Sequence, residues 1–347
     1  MVTQGCDTIA PVSEAPTAGP AGERATLPAL TEIEAAAEVV YQTMLPAPQH
    51  RWPLLAERTG CQVWVKHENH TPIGSFKARG GLYMAHRLLA EGKAGAGLLA
   101  ATRGNFGQAV AFSAAAQGLA ATVVVPRGNS RDKNAAMRSQ GARVVEHGAD
   151  FQEAYERAAT MAAEEGLTFV PSFHRWLVQG VASYGIELFT AVADLDAVYV
   201  PIGLGSGVCG VLAARDALSP TTEVIGVVSE ALPTYKLSFE AGEPRSTPAA
   251  PTIADGMATR VPDVDALAMM AGRLARVVAV TDGQIEAAMR AYFSDTHNVA
   301  EPAGAAPLAA LQTGDETERM RGKRVALVMS GGNVDRELYA RALAGRD

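Results

Sequence analysis

The strongest constraint on the fold is a repeated alternation, in which short runs of β-branched and other apolar residues are each followed by an amphipathic segment. Strands that alternate with helices form βαβ units and therefore a parallel sheet. The pattern predicts an α/β fold. The predicted strands span residues 62–66, 97–102, 122–126, 143–146, 168–170, 197–202, 224–228, 277–280 and 324–329.

The composition is that of a folded enzyme rather than a disordered or nucleic-acid-binding chain. Hydrophobic residues make up 48% of the 347 residues and charged residues 19%, which excludes a mostly disordered chain. The net charge of −7, without a long run of either sign, gives no basic surface for nucleic acid or an anionic membrane. We therefore expect a small-molecule partner, with no nucleic-acid or membrane partner.

The cysteines and the lack of long apolar runs indicate a cytoplasmic protein. Cys6, Cys61 and Cys209 lie far apart, without CxxC spacing or nearby histidine pairs, which fits a reducing compartment and supports neither a disulfide framework nor a zinc site. No apolar run approaches the ~20 residues that a membrane-spanning helix needs.

The N-terminal segment differs from the rest of the chain. Residues 1–28 are rich in proline, glycine, alanine, serine and threonine without an apolar period, and this composition favours a flexible tail. A helical pattern then runs from Leu30 to Pro46, where proline must end it.

Glycine-rich turns follow several of the predicted strands. They occupy residues 102–105, 203–207 and 330–333. Ligands of open α/β sheets bind beyond the carboxyl ends of the strands, so the three turns are expected to converge on one site.

The segment Gly203-Leu204-Gly205-Ser206-Gly207 follows an apolar strand and opens a helix, so its unpaired backbone amides could hold a phosphate. The motif is weak alone, because it has neither GxGxxG spacing nor the Gly-Lys-Ser/Thr of a Walker A loop. A tight strand-to-helix turn that needs small residues explains it equally well.

Lys77 stands just after a Gly-Ser turn and at the head of a predicted helix. The positive end of the helix dipole disfavours the charged form of the lysine and helps to make it a free amine. Such an amine is a nucleophile suited to a Schiff base. The alternative is a solvated surface lysine, which describes most single lysines.

Four motifs together resemble those of the fold-type II pyridoxal-phosphate enzymes, specifically the serine/threonine dehydratase and serine racemase family. They are Gly-Ser-Phe-Lys-Ala-Arg-Gly around Lys77, Thr-Arg-Gly-Asn-Phe-Gly-Gln around Asn105, the loop 203–207, and Ser-Gly-Gly-Asn from Ser330. Further similar segments are 178–180, 252–256 and 301–305. The resemblance covers about residues 30 to 340.

The resemblance implies two domains, each with a mostly parallel open sheet flanked by helices. Residues 29–92 and 175–347 would form a large cofactor-binding domain, and residues 93–174 a small domain. It also implies a homodimer with pyridoxal 5'-phosphate as cofactor.

The resemblance assigns roles to the motif residues. Lys77 would hold the cofactor as a Schiff base and act as the base at Cα. Phe76 would pack against the cofactor ring, Asn105 would bind its phenolic oxygen, and Ser330 would meet its pyridine nitrogen. The phosphate would be bound by the amides of Gly203, Leu204, Gly205, Ser206 and Gly207. Donors for the substrate carboxylate would come from the turn of Thr102, Arg103 and Gly104, with Ser75 as a further hydroxyl or simply a helix cap.

The sequence departs from the family at Arg103, where serine racemase has a serine that acts as a second acid/base. A guanidinium with a pKa above ~12 does not take a Cα proton, so racemisation is not expected. Arg103 either pairs with a second carboxylate, stacks on an aromatic β-substituent, or has no substrate contact and points to solvent or braces the neighbouring loop.

Other acidic residues receive weaker roles. Family members that bind a divalent cation take carboxylates from the turn after the strand 224–228, and Glu230 is the single carboxylate there in this sequence. A divalent cation is coordinated by several oxygens, so no metal is expected. Glu68 and Glu301 are candidates for residues that support the site side chains, but a plain structural role is the favoured expectation for each.

The predicted function is a pyridoxal-phosphate-dependent dehydratase, or ammonia-lyase, of 3-hydroxy amino acids such as threonine and serine, yielding a 2-oxo acid and ammonia. One alternative is a dehydratase for a larger substrate, 3-hydroxyaspartate or phenylserine. Another is a β-replacement synthase of the cysteine-synthase type, which the Ser-Phe-Lys-Ala-Arg-Gly motif disfavours. A catalytically silent binding protein would be expected to lose Lys77, which is retained.

Overall fold

Two separate β-sheets organise the chain, and helices flank both of them. The computed structural model describes residues 26–345. The predicted tail 1–28 therefore lies almost entirely outside the described residues, as does Cys6. In the described part, no helix has the length and apolar character that crossing a membrane requires.

The larger sheet has six strands in the order β1-β2-β10-β7-β8-β9. All neighbouring pairs are parallel except β1 with β2. Its strands are β1 Gln49–Arg51, β2 Gln62–His67, β7 Ala197–Pro201, β8 Glu223–Ser229, β9 Arg276–Val280 and β10 Arg324–Met329.

The smaller sheet has four parallel strands in the order β5-β4-β3-β6. Its strands come from one continuous part of the chain. They are β3 Leu98–Ala101, β4 Ala121–Val125, β5 Arg143–Glu146 and β6 Thr168–Phe169.

The helices of the first half are α1 Leu30–Tyr41, α2 Pro53–Thr59, α3 Lys77–Ala90, α4 Asn105–Ala116, α5 Arg131–Ser139, α6 Phe151–Glu165 and α7 Arg175–Ala191. Those of the second half are α8 Ser206–Leu218, α9 Thr234–Ala241, α10 Val264–Met270, α11 Asp282–Thr296, α12 Pro302–Leu311, α13 Gly314–Met320 and α14 Arg336–Ala344.

Strand β10 illustrates why the larger sheet is parallel and central. Val325, Leu327 and Met329 pack into one hydrophobic cluster, whereas Ala326 and Val328 pack into another on the opposite face. Because successive side chains of a strand point to opposite faces, an unbroken apolar run means that both faces are covered by helices. The sheet thus lies between two apolar layers.

The α/β fold with two mostly parallel, helix-flanked sheets is confirmed, and the predicted strands are present with ends shifted by a residue or two. Strand β1 was not predicted, because Gln49–Arg51 is a short polar edge segment without an apolar pattern. Helix α1 ends at Tyr41 rather than at Pro46. Beyond it, the backbone of Ala47 is held by Glu187 and Lys66, which requires a non-helical path.

Candidate active site

The turn before Lys77 and the turn that holds Ser330 are bound to each other through their backbones. The Phe76 amide donates to the Ser330 carbonyl at 3.0 Å, and the Gly332 amide donates to the Gly74 carbonyl at 3.0 Å. Ser75 and Gly331 form an isolated antiparallel bridge between these bonds. Two motifs that are far apart in sequence therefore form one backbone unit at the end of β10.

The amine of Lys77 is unpaired in the site. Its Nζ lies 4.6 Å from the centroid of the Phe76 ring, and it forms no hydrogen bond or ion pair with another residue of the described range. Burial lowers the pKa of Lys77, and the nearby carboxylate of Glu301 partly opposes this shift by raising it. The lysine is therefore biased toward the neutral, nucleophilic amine.

Helix α3, which begins at Lys77, is anchored by a buried charge network. The Arg79 guanidinium forms a bidentate pair with Glu68, and it also pairs with Glu187 on α7 and bonds to Ser183. The carboxylate of Glu187 further accepts from Lys66. Glu68 has the structural role expected for it, and the network holds the helix that presents Lys77.

Three carbonyls of the glycine-rich loop accept hydrogen bonds from hydroxyl groups. Thr259 donates to Gly203, Tyr235 to Leu204 and Tyr184 to Gly207, at 2.9–3.0 Å. In a trans peptide the N–H of the next residue points opposite to the carbonyl. The amides of Leu204 and Gly205 therefore point away from the hydroxyl groups of Thr259 and Tyr235, and helix α8 begins next to them without a side-chain cap.

Glycine is required at two positions of this loop. A Cβ at Gly203 would lie 2.3 Å from the carbonyl oxygen of Gly256. Gly205 has a φ of +105°, and a Cβ there would approach Ala266 and Met270 to 2.7 and 2.8 Å. The loop thus adopts a path that only glycine follows without strain.

A chain of hydrogen bonds determines the orientation of the Asn105 side chain. Asn333 Nδ2 donates to the carbonyl of Ile73 at 2.8 Å, which identifies this atom as a nitrogen. It also donates to Asn105 Oδ1 at 2.8 Å, so that Asn105 Nδ2 must face Glu301. The predicted cofactor-binding amide is therefore held in one rotamer by two residues remote in sequence.

Glu301, expected to be merely structural, lies inside the site. Its carboxyl group is buried against the Gly331 turn, because a Cβ on Gly331 would lie 2.7 Å from Oε1. Burial raises the pKa of Glu301, and the hydrogen bond from Asn105 and the charge of Lys77 act in the opposite direction. The backbone amide of Glu301 also donates to the Gly331 carbonyl at 3.0 Å, so this residue joins the turn after β10 to Asn105.

The predicted carboxylate turn, residues 102–105, leads into α4. Thr102 is buried, and its Oγ1 accepts from the Gly104 amide at 3.2 Å, so that this amide is engaged within the turn. Arg103 is exposed and forms no hydrogen bond or ion pair with any residue between 26 and 345. Ser75 is buried, with its Oγ 3.4 Å from the Lys77 amide.

The remaining predicted cofactor contacts lie around Lys77. The Phe76 ring is about 3.5 Å from the Cβ position of Gly207 and stands edge-on to Tyr184. Ser330 is 4% exposed, and its hydroxyl forms no hydrogen bond within the described part of the chain. Among residues 26–345, no group of three or more histidine, cysteine, aspartate or glutamate side chains is placed to hold a metal ion.

Sequence reasoning missed several residues of the site. Asn333 and Glu301 stand within quoted motifs, so their motif membership was the available signal. Asp255 likewise stands within the similar segment 252–256, whereas Tyr184, Tyr235 and Lys133 carried no signal that separates them from ordinary core or surface positions.

A sequence profile of the family described as pyridoxal-phosphate dependent enzyme matches residues 40–331. The biosynthetic L-threonine dehydratase of Haemophilus influenzae is 35% identical over 297 residues, which cover 85% of this chain and 58% of that protein. The L-threonine ammonia-lyase of Thermotoga maritima is 34% identical over 292 residues, which cover 84% of this chain and 72% of that enzyme. The chain thus spans little more than half the length of the biosynthetic dehydratase.

Among solved structures, a threonine deaminase from the organism abbreviated T.th. superposes with a TM-score of 0.83 and 33% sequence identity. The superposition covers 89% of this chain and 99% of that one. Both sheets and the turns at their carboxyl ends therefore have counterparts in an enzyme of known structure.

Proposed function

The chain belongs to the pyridoxal-phosphate dependent enzymes, and from this membership we propose that it dehydrates and deaminates 3-hydroxy amino acids, with L-threonine as the first substrate to test. The observation that carries the proposal is the unpaired Lys77 amine. The Phe76 ring lies between it and Gly207 of the glycine-rich loop, and the charge of Glu301 raises the pKa of Lys77. Relatives named for L-threonine at 34–35% identity support the substrate.

The residues of the site fit pyridoxal phosphate. The amides from Gly203 to Gly207 form an uncapped helix start suited to its phosphate. The buried Ser330 hydroxyl is free to meet the pyridine nitrogen, and Asn105 Nδ2 retains one hydrogen for the phenolic oxygen. Lys77 supplies the amine that binds the aldehyde.

Pyridoxal phosphate, when bound, supplies an electron sink for the pair left at Cα. Ser330 tunes that sink, because a neutral hydroxyl does not hold the ring nitrogen protonated as a carboxylate would. A weaker sink favours prompt loss of the β-substituent over a long-lived carbanion. This residue choice therefore supports β-elimination.

Lys77 is the proposed base at Cα. With the cofactor bound, Lys77 Nζ would take the Cα proton of the substrate, for which its lowered pKa suits it. The electron pair left at Cα would expel the β-hydroxyl as the Cβ–O bond breaks, and the proton taken up at Nζ balances the one that the hydroxyl needs to leave as water. Tautomerisation and hydrolysis of the dehydrated amino acid give the 2-oxo acid and ammonia.

The charges around the site favour a substrate with a neutral β-substituent. The pocket that Lys77 lines is otherwise formed by uncharged residues, among them Phe106, Ser172 and Ser206. A second carboxylate, as in 3-hydroxyaspartate, would find no cation in that lining other than the Lys77 amine. Exposed Arg103 is the feature that favours 3-hydroxyaspartate or phenylserine as the second candidate.

The decisive experiment measures 2-oxo acid and ammonia released from L-threonine, L-serine, 3-hydroxyaspartate and 3-phenylserine. We expect L-threonine to give 2-oxobutyrate and ammonia in equal amounts. Exclusive release from 3-hydroxyaspartate or phenylserine, lost in Arg103→Ala, would support the second candidate instead. Release from none of the four would overturn the proposal.

We further propose that the enzyme acts in the cytoplasm as a homodimer. Cys61 and Cys209 are buried free thiols, which suits a reducing compartment. The dimer rests on the resemblance to the serine/threonine dehydratase family. Cell fractionation tests the compartment, and light scattering on the purified protein tests the dimer; a monomeric mass would contradict it.

A further inference from the structure

Lys133 lies across the turn that is expected to receive the substrate carboxylate. It stands in the first turn of α5, where its backbone amide donates to the N-cap Ser130. Its side-chain carbons lie 3.3–4.0 Å from the position that a Cβ on Gly104 would occupy. A cation in the first turn opposes the helix dipole, so helix stability does not explain this lysine.

The ammonium group of Lys133 has donor capacity to spare. Within the described residues its Nζ forms one ion pair, with Asp255 Oδ2 at 3.1 Å, and an ammonium carries three N–H donors. The Lys133 side chain is 17% exposed, whereas that of Asp255 is 54% exposed. Asp255 therefore occupies one donor of the ammonium, and the other two have no partner among residues 26–345.

The cavity that Lys133 lines borders the residues that hold Asn105. Lys133 and Asp255 line it together with Glu301 and Asn333, the two residues that orient the Asn105 side chain. The charge of Lys133 also acts on the carboxyl group of Glu301. Lys133 is thus next to Gly104 and to the partners of Asn105, whereas Lys77 lines a separate pocket.

The expected carboxylate site lacks a formal positive charge without this lysine. Helix α4 begins at Asn105 without a side-chain cap, which leaves backbone amides for an anion. The Gly104 amide is engaged by Thr102, and Arg103 points to solvent. We propose that Lys133 binds the α-carboxylate of the substrate and thereby selects free amino acids. The inference rests on the proposed function, since it takes the substrate to be an amino acid.

The test compares how the holoenzyme binds L-alanine and L-alaninamide, which lacks the carboxylate charge. Lys133→Met keeps the aliphatic stem over Gly104 and removes the charge. Arg131→Met is the matched control, because it makes the same charge change in the same helical turn on an exposed side chain outside the cavity. Dissociation constants come from isothermal titration, which needs no turnover.

Wild type and Arg131→Met are expected to bind L-alanine at least tenfold more tightly than L-alaninamide. Lys133→Met should lose most of that preference, chiefly through weaker L-alanine binding, and Lys133→Arg should recover part of it. Cofactor absorbance and melting temperature verify that each variant is folded and loaded.

Two results would overturn the inference. A preference unchanged in Lys133→Met means that the carboxylate is bound elsewhere. Equal weakening of both ligands means that Lys133 only braces the cleft through Asp255. Failure of the proposed function is distinguishable, because the binding preference can persist in a protein that releases no 2-oxo acid.

Discussion

Asn105 Nδ2 lies 2.9 Å from both carboxylate oxygens of Glu301. The side-chain nitrogen carries two N–H donors, so turning one of them to a ligand would still leave the other on the carboxylate. The same contact fixes a buried carboxylate close to Lys77, and this gives Glu301 an electrostatic effect on the amine.

Glu301→Gln is expected to lower the pKa of Lys77, because the carboxylate raises it and burial then acts unopposed. A glutamine oxygen still accepts from Asn105, so the hydrogen bond is kept. The neutral amine therefore persists to lower pH. When the extent to which apoenzyme rebinds the cofactor is measured against pH, its decrease on the acidic side should occur at lower pH than in wild type. Absorbance at roughly 410–430 nm follows the rebinding.

Asp335→Asn is the matched control for this variant, since it removes a carboxylate from the cavity lining that does not act on the Lys77 pKa. In Asp335→Asn, cofactor rebinding should decrease at the same acidic pH as in wild type. If the decrease in Glu301→Gln moved to higher pH, the electrostatic assignment would be contradicted.

Lys77→Ala is expected to reduce turnover by about 10³-fold or more, because it removes both the nucleophile and the Cα base. The melting temperature should not fall, since the buried amine has no partner to lose within the described residues. Borohydride reduction followed by peptide mass spectrometry should find the cofactor on Lys77 in wild type. Label on another lysine would refute the assignment.

Gly205→Ala is expected to weaken cofactor binding and to destabilise the fold by about 1–3 kcal/mol, through backbone strain and the clash with Ala266. Gly242→Ala is the control, because its φ of +70° is also positive but open space surrounds it. Denaturant unfolding and cofactor titration measure both effects. Equal losses of cofactor affinity in the two variants would show that cofactor binding does not depend specifically on glycine at position 205.

Arg79→Leu is expected to destabilise the protein by about 3–5 kcal/mol at neutral pH, because it leaves the buried carboxylates of Glu68 and Glu187 with less compensation. Arg79 helps to hold the pKa of Glu187 below its usual range. Without Arg79 the pKa of Glu187 rises, so Glu187 takes up a proton as the pH falls and no longer leaves a buried charge. The loss of unfolding free energy in Arg79→Leu should therefore become smaller at lower pH.

Arg157→Leu is the control for a surface pair, since Arg157 and Glu164 are both substantially exposed. Its cost should stay within about 1 kcal/mol. Urea unfolding at several pH values measures both variants. A pH-independent deficit for Arg79→Leu would mean that lost packing rather than charge explains it.

Much of the site's backbone was predictable, since it depends on local patterns. Apolar strand runs followed by glycine predicted the turns 102–105, 203–207 and 330–333 at the carboxyl ends of strands, and each of them follows a strand in the structure. The polar edge strand Gln49–Arg51 was not predictable, because pairing with β2 rather than its own composition makes it a strand.

The sequence by itself determined the alternation of strands and helices, the lysine at a helix head and the glycines that a phosphate loop needs. Those features follow from periodicity and backbone conformation, which neighbouring residues dictate. Tertiary structure alone decided that Glu301 and Asn333, 196 and 228 residues from Asn105, orient its amide, and that Lys133 pairs with Asp255. A side chain acquires such partners only when two separately built sheets bring their carboxyl edges together.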